Sequence, residues 1–337
     1  MINVVPSVTG TPNGRALLTS ADAIALLRGM LRIRVAEETL ADLYKEQEMR
    51  TPTHFSIGQE AVAVGVSAAL RVSDAVYSGH RCHAHYLAKG GDLKDMVAEL
   101  YGKETGCARG RGGSVHLNAP EVGFMAASAI LGQTMAVATG SAWAFAMDGS
   151  DRIGVCYFGD GAAEEGIFHE TLNFASVTKV PVLFVCENNL YSTHTPLAVR
   201  QPGGIQIWER AATYQMPAKL VDGNDVFAVR DAAAEAVEWC RAGRGPYFLE
   251  CSTYRWREHV GPNWDYDAGY RTKAEVDAWM ERCPIKRASA ALIADGTCKQ
   301  ADIDHWTSEC QAEVNAAVAA AKAAPWPAIE HMLDGTY

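Results

Sequence analysis

Gly159–Tyr191 reads GDGAAEEGIFHETLNFASVTKVPVLFVCENNLY. Just upstream, Ile153–Phe158 (IGVCYF) is a short apolar run of the kind that forms a buried strand, and Gly159-Asp160-Gly161 ends it as a sharp turn. Ala162–Val177 has helical spacing, with Ile167, Leu172, Phe174 and Val177 available for one buried face, and Pro181 stops it. Val182–Cys186 is a second buried-strand run, followed by Glu187-Asn188-Asn189. A strand, a helix and a strand in this length predict a right-handed parallel crossover. The fold class is therefore α/β, a mostly parallel sheet flanked by helices. Such sheets bind ligands beyond the carboxyl ends of their strands, where Asp160 and Asn189 both fall.

Those two side chains offer a carboxylate and an amide oxygen, hard donors that suit Mg²⁺ or Ca²⁺ and suit zinc or copper poorly. Gly161 and Ala162 open the helix, so their free N–H groups are available to an anion. A cation between strand ends and beside a helix start points to a bound diphosphate, because Mg²⁺ shares its shell with phosphate oxygens and water. No G-x-x-x-x-G-K-[ST] loop is present, and Glu164 breaks the dinucleotide fingerprint that Gly159-x-Gly161 would begin. The acidic spacing after Asp160 also fails the calcium-hand pattern.

Composition narrows the class. The 337 residues are 48% hydrophobic, enough for a large core in one or two domains. A net charge of −10 with no long basic run argues against nucleic-acid binding. No apolar run approaches membrane-spanning length and no signal pattern opens the chain, so neither membrane nor export is expected. Nine cysteines without a C-x-x-C pair read as reduced thiols, which fits a cytoplasmic protein.

Along the chain, Met1–Arg15 carries Pro6, Gly10, Pro12 and Gly14 and reads as a loose arm. Ser20-Ala21-Asp22 caps a helix expected to run to about Gln47, with Arg32 and Arg34 as surface or interface charges. Thr51–Glu60 is a polar loop holding His54. Asp74–Tyr86 holds His80, Arg81, His83 and His85 around Cys82, for which a zinc site is one alternative. The Gly-rich Gly106–His116 segment, with Arg109 and Arg111, is either a phosphate cradle or structural support. Phe124–Ser141 is small and apolar, the composition of a segment packed against a partner. Ser192–Met216 is a long polar loop of the kind that forms lids. A helix from about Asp225 to Arg241 and a buried strand in Pro246–Thr253 follow. Tyr254–Asp267 leaves that strand at the ligand end, and its His259 is suited to proton transfer near neutral pH.

GDG followed about thirty residues later by NN after a strand resembles the thiamine-diphosphate motif. The form GDGAAEEG…ENNLY resembles the alpha subunit of the first, decarboxylating component of 2-oxo acid dehydrogenase complexes, a group that includes pyruvate, branched-chain and acetoin enzymes. The resemblance runs from about Leu26 to the C-terminus. It implies that Asp160 and Asn189 hold Mg²⁺ through side chains and Tyr191 through its carbonyl. The turn Gly159-Asp160-Gly161-Ala162, together with His80 and Arg81, would hold the diphosphate. Ala129 and Leu131 would meet the aminopyrimidine ring through main-chain groups. His54 and His259 would act as acid–base or polarising groups, and either Arg257 or His259 would reach the diphosphate or substrate.

The chain departs from the family pattern in several places. His80 replaces a Tyr, Ala84 a Gly, and Ala127 and Ala129 replace Gly residues. VGPNWDYD stands in place of a serine-rich segment. The implied organisation is an N-terminal arm and helix (1–48), a thiamine diphosphate domain (49–270) and a C-terminal helical extension (271–337). The implied partner is a beta subunit in an α₂β₂ heterotetramer, with a lipoyl-bearing acyltransferase as acceptor and a small 2-oxo acid such as pyruvate as substrate. An alternative keeps the cofactor and passes the activated acyl unit to a carbonyl acceptor, as acyloin- or ketose-type lyases and ligases do.

Overall fold

The computed structural model describes residues 18–49, 51–331, 333 and 334; the expected arm at Met1–Arg15 lies outside them. Six strands form the main sheet: β1 (Ala75–Ser78), β2 (Phe124–Ala127), β3 (Gly154–Gly159), β4 (Val182–Asn188), β5 (Ala218–Asp222) and β6 (Tyr247–Ser252). Their order is β2-β1-β3-β4-β6-β5, and every pair is parallel. β3 and β4 pair in register up to Gly159 opposite Glu187. The turn after β3 and the asparagines closing β4 therefore leave the sheet side by side.

The strands are apolar on both faces because both faces are covered. Val76, Val155, Tyr157, Leu183, Val185 and Leu249 point into one core, and their chain neighbours Tyr77, Cys156, Phe158, Val182, Phe184 and Phe248 into the other. The first core is closed by α1 (Ser20–Leu43), α2 (Glu60–Ser67), α3 (His83–Lys89), α4 (Leu93–Leu100) and later helices, and the second by α5 (Gln133–Met147) and α6 (Gly166–Thr178). Two short helices, α7 (Leu197–Arg200) and α8 (Ile207–Ala212), interrupt the expected polar loop. α9 (Val226–Arg241), α10 (Lys273–Met280), α11 (Pro284–Ala294) and α12 (Gln300–Ala323) complete the chain. Among the described residues no helix is long and apolar enough to cross a membrane.

Several local expectations are corrected. Thr19 caps α1 and forms a capping box with Asp22; the α-helix ends at Leu43, and a 3₁₀ turn leads to Gln47 at φ 57°. Arg34 is not a surface charge. Its guanidinium makes a two-pronged pair with buried Glu60 at 2.6 and 2.8 Å and lies 4.0 Å over the Trp256 ring. Arg32 pairs with Glu313 of α12, nearer the surface. The helix after the GDG turn does not begin at Ala162: a 3₁₀ turn spans Asp160–Glu164 and α6 starts at Gly166. Its buried face is Phe168, Thr171, Leu172 and Ala175, whereas Phe174 is 38% and Val177 75% exposed. Together with Val137, Trp143 and Met147 of α5 they leave an apolar surface on this side of the sheet.

Candidate cofactor site at the strand ends

Beyond the carboxyl ends of β1, β3 and β4 lies a cleft of about 350 Å³. Gly159, Asp160, Gly161, Ala162, Asn189 and Tyr191 line it at the strand ends, its floor; Ala129 and Leu131, and the group His54, His80, Arg81 and His259, line the rest. Gln59, Ser78, His85, Glu187, Ser192 and Thr193 also line it.

The floor suits an oxygen-coordinated cation. Asp160 is 1% exposed, and burial raises its carboxyl pKa while Arg200 opposes the rise. Arg200, the last residue of α7, reaches back to pair with both Asp160 and Glu164. Gln201 adds a bond to Glu164 at 2.7 Å. A buried carboxylate that draws in a guanidinium is one that requires a positive partner. Asn189 has a fixed amide orientation: its Nδ2 donates to Gln59 Oε1 at 3.0 Å, while its Oδ1 accepts from Tyr191 N at 3.2 Å. The Tyr191 side chain turns away and donates to Glu275, which leaves only its main chain toward the cleft.

The glycines have separate reasons. A Cβ on Gly161 would lie 2.6 Å from Ser192 Oγ and 3.0 Å from Ser192 Cβ, so the Ser192 side chain is pressed against the glycine. A Cβ on Gly159 would meet nothing within 4 Å and would project into open space. Ala127 and Ala129 are not among the residues with positive φ, whereas Gly132 is at +76°. The alanines thus keep a backbone open to any residue, and the glycine sits where one is required.

Three imidazoles face the floor. Ring centroids are 4.5 Å apart for His54 and His80, 5.0 Å for His54 and His259, and 5.3 Å for His80 and His259. Burial first, and then the Arg81 charge, push their pKa values down to about 2, about 4 and about 3 for His54, His80 and His259. All three are neutral near pH 7. Arg81 is itself buried, which lowers its pKa to about 9. One of its nitrogens donates to the Phe55 carbonyl and another to the His259 carbonyl at 3.1 Å.

Other candidates lie elsewhere. Arg257 does not line the cleft; it donates to the Pro262 carbonyl at 3.1 Å and lies 4.3 Å over the Trp264 ring. A zinc site around Cys82 does not form. Cys82 donates to the Ser114 carbonyl, His83 is held by Glu37 and Ser114, and His85 by Ser78. The Gly106–His116 cradle holds an internal anion: the buried Glu99 carboxylate accepts from the N–H groups of Ala108, Gly110, Gly112 and Gly113. Arg109 and Arg111 turn to the C-terminal segment. Sequence reading missed Gln59 and Glu187 in the cleft, and Arg200 as the ion-pair partner of Asp160. Only the position of Glu187, next to the asparagines at the end of β4, signalled its place.

An oxygen-donor floor at parallel strand ends, a pressed glycine turn and an imidazole wall define a cofactor-dependent α/β enzyme, distinct from the P-loop and dinucleotide classes. The sequence matches the dehydrogenase E1 component family over residues 28–330, and the chain belongs to that family. It is 39% identical to the alpha subunit of an acetoin:2,6-dichlorophenolindophenol oxidoreductase from Bacillus subtilis, covering 95% of each chain. It is 37% identical to a pyruvate dehydrogenase E1 alpha subunit from Zymomonas mobilis, over 95% of this chain and 89% of the relative. A Rhizobium meliloti counterpart is 36% identical, over 94% and 90%. The family's cofactor is thiamine diphosphate, and its alpha subunits work with a beta subunit as oxidoreductases.

Proposed function

We propose that this chain is the alpha subunit of a thiamine-diphosphate-dependent dehydrogenase that decarboxylates a small 2-oxo acid such as pyruvate and delivers the acyl group to a lipoyl acceptor. The observation that carries this reading is the buried Asp160 carboxylate facing Asn189 across paired strand ends, with three neutral histidines over the same cleft. Asp160, Asn189 and the Tyr191 carbonyl would hold Mg²⁺, a hard oxygen set of the kind that ion takes. The N–H groups of Gly161 and Ala162 would hold the diphosphate, with Arg81 released from the Phe55 carbonyl to join them. Ala129 and Leu131 would meet the aminopyrimidine through the main chain. When bound, thiamine diphosphate supplies the nucleophilic carbon and the electron sink that decarboxylation requires. Neutral His54 and His259 would polarise the reacting carbonyl through a ring N–H; with pKa values pushed down to about 2 and about 3 they are poor proton acceptors near pH 7, so the polarising role is the one their surroundings favour.

Two features support dependence on a beta subunit. The cleft rim is apolar and exposed, with Ile130 at 64% and Leu131 at 40%, continuous in sequence with α5 and its exposed Val137, Trp143 and Met147. Of the cleft carboxylates Asp160 is held by Arg200, and Glu187 lies 3.2 Å from His85 Nε2. A further carboxylate beside the aminopyrimidine would come from the partner, in an α₂β₂ assembly.

A second reading changes the donor. The imidazoles are uncharged, and the Arg81 nitrogens are occupied by backbone carbonyls, so a substrate carboxylate finds little free positive charge. A neutral acyloin fits such a wall, and one relative is named for acetoin. The chain copurified with its beta subunit, given thiamine diphosphate, Mg²⁺ and a dye oxidant, separates the two. Dye reduction with CO₂ release from a 2-oxo acid supports the first reading. Dye reduction with acetoin, without CO₂, supports the second. Neither, in a cofactor-loaded complex, overturns both.

A further inference from the structure

Two buried histidines, His83 and His85, contrast with three half-buried ones, His54, His80 and His259. His83 has partners on both ring nitrogens, Glu37 and Ser114, and His85 bonds to Ser78 through Nδ1 while its Nε2, 3.2 Å from Glu187 Oε1, makes no hydrogen bond. Among the described residues, the rings of His54, His80 and His259 make no hydrogen bond to any protein group, and His54 Nδ1 is buried without a partner. The three come from the loop before α2, the end of β1 and the loop after β6, yet each presents a donor atom within 4.8 Å of the others. Three imidazoles without a protein partner, converging from separate segments, bring three ring nitrogens within reach of a single ligand.

We propose that His54, His80 and His259 form a binding site for a borderline divalent transition metal such as Zn²⁺, separate from the oxygen site at Asp160 and Asn189. Neutral imidazole suits Zn²⁺, Ni²⁺ and Cu²⁺ and does not suit Mg²⁺, so the two ends of the cleft sort cations by donor softness. Zinc–nitrogen bonds of about 2.0–2.1 Å require the ligating atoms to close in, and all three residues stand on connecting segments outside the strands and helices. Arg81, beside the trio, opposes a second positive charge, and among the described residues no carboxylate is hydrogen-bonded to these rings. The site is therefore a weak, reversible one. Three protein ligands leave a fourth position toward the cleft, so the bound ion obstructs substrate entry.

The test uses the complex with its beta subunit, stripped of metal and cofactor and titrated with Co²⁺. The site predicts one equivalent per alpha chain with intense visible bands of four-coordinate Co²⁺, which Zn²⁺ bleaches and excess Mg²⁺ leaves unchanged. His80→Asn and, separately, His54→Asn each weaken Co²⁺ binding by at least about tenfold, with melting curves showing both variants folded. Absence of the bands at saturating Co²⁺, or equal affinity in both variants, overturns the proposal. Because no cofactor is present, the outcome is independent of which donor the enzyme uses.

Discussion

The Arg200 guanidinium pairs with Asp160, where Mg²⁺ is proposed to bind, and replacing it separates two effects of opposite sign. Arg200→Met keeps the aliphatic stem and removes the charge from a side chain that is 10% exposed. Without Mg²⁺, the 1%-exposed Asp160 then has lost its ion pair, and removing one partner of a buried pair destabilises by about 3–5 kcal/mol. Protonation of Asp160, whose pKa burial already raises, limits the loss to the lower end of that range. With Mg²⁺ the sign reverses. A charge-assisted hydrogen bond of about 1.5–3 kcal/mol no longer competes for the carboxylate. At about 1.4 kcal/mol per decade, Mg²⁺ binds roughly 10- to 100-fold tighter in the variant. Calorimetric titration of Mg²⁺ into the thiamine-diphosphate-saturated complex reads the affinity, and melting in chelator reads the metal-free stability. An unchanged or weaker Mg²⁺ affinity, with the same melting temperature in chelator, would refute the competition.

Further outcomes follow from individual contacts. Glu99→Gln replaces an acceptor of four backbone N–H groups with one that presents an amide donor. Two buried donors are stranded, so denaturant unfolding should show a loss of about 2–4 kcal/mol. Gly161→Ala drives a Cβ to 2.6 Å from Ser192 Oγ. Weaker cofactor binding is expected, with recovery in the double variant carrying Ser192→Gly; failure of the second change to help would place the strain elsewhere. The three cleft histidines titrate at about 6.5 when unfolded and at about 2, about 4 and about 3 when folded. Because the unfolded chain binds the extra protons, their stabilisation is complete above about pH 6.5 and declines as the pH falls. At about pH 5.5 the cofactor-free protein should lose roughly 1 kcal/mol per ring, after allowance for solvent screening. His80→Asn should remove about a third of that slope.

The central strand–helix–strand unit was legible because an apolar run, a glycine turn and a proline stop are local signals. Its helix face was misread. Phe174 and Val177 have the right spacing for a core, but α6 buries Phe168 and Ala175 and leaves those two exposed. Periodicity identifies an apolar stripe without saying which neighbour covers it. Arg34 was assigned to the surface because charge alone argued for solvent, while its partner Glu60 sits 26 residues away. The same distance problem hid Arg200, 40 residues from Asp160, and Glu99, whose carboxylate fills the glycine cradle that the arginines were expected to serve. Asp160 and Asn189 were legible because parallel strands have their ligand ends fixed by topology. The convergence of His54, His80 and His259 was not, since no spacing rule joins three separate loops.

Mg²⁺-dependent thiamine diphosphate binding, measured by calorimetry on the complex with its beta subunit, tests the central claim most directly. The account predicts saturable binding that requires Mg²⁺ and falls by at least about a hundredfold (~2.7 kcal/mol) in Asp160→Asn. Binding that ignores both Mg²⁺ and the Asp160→Asn change would contradict it.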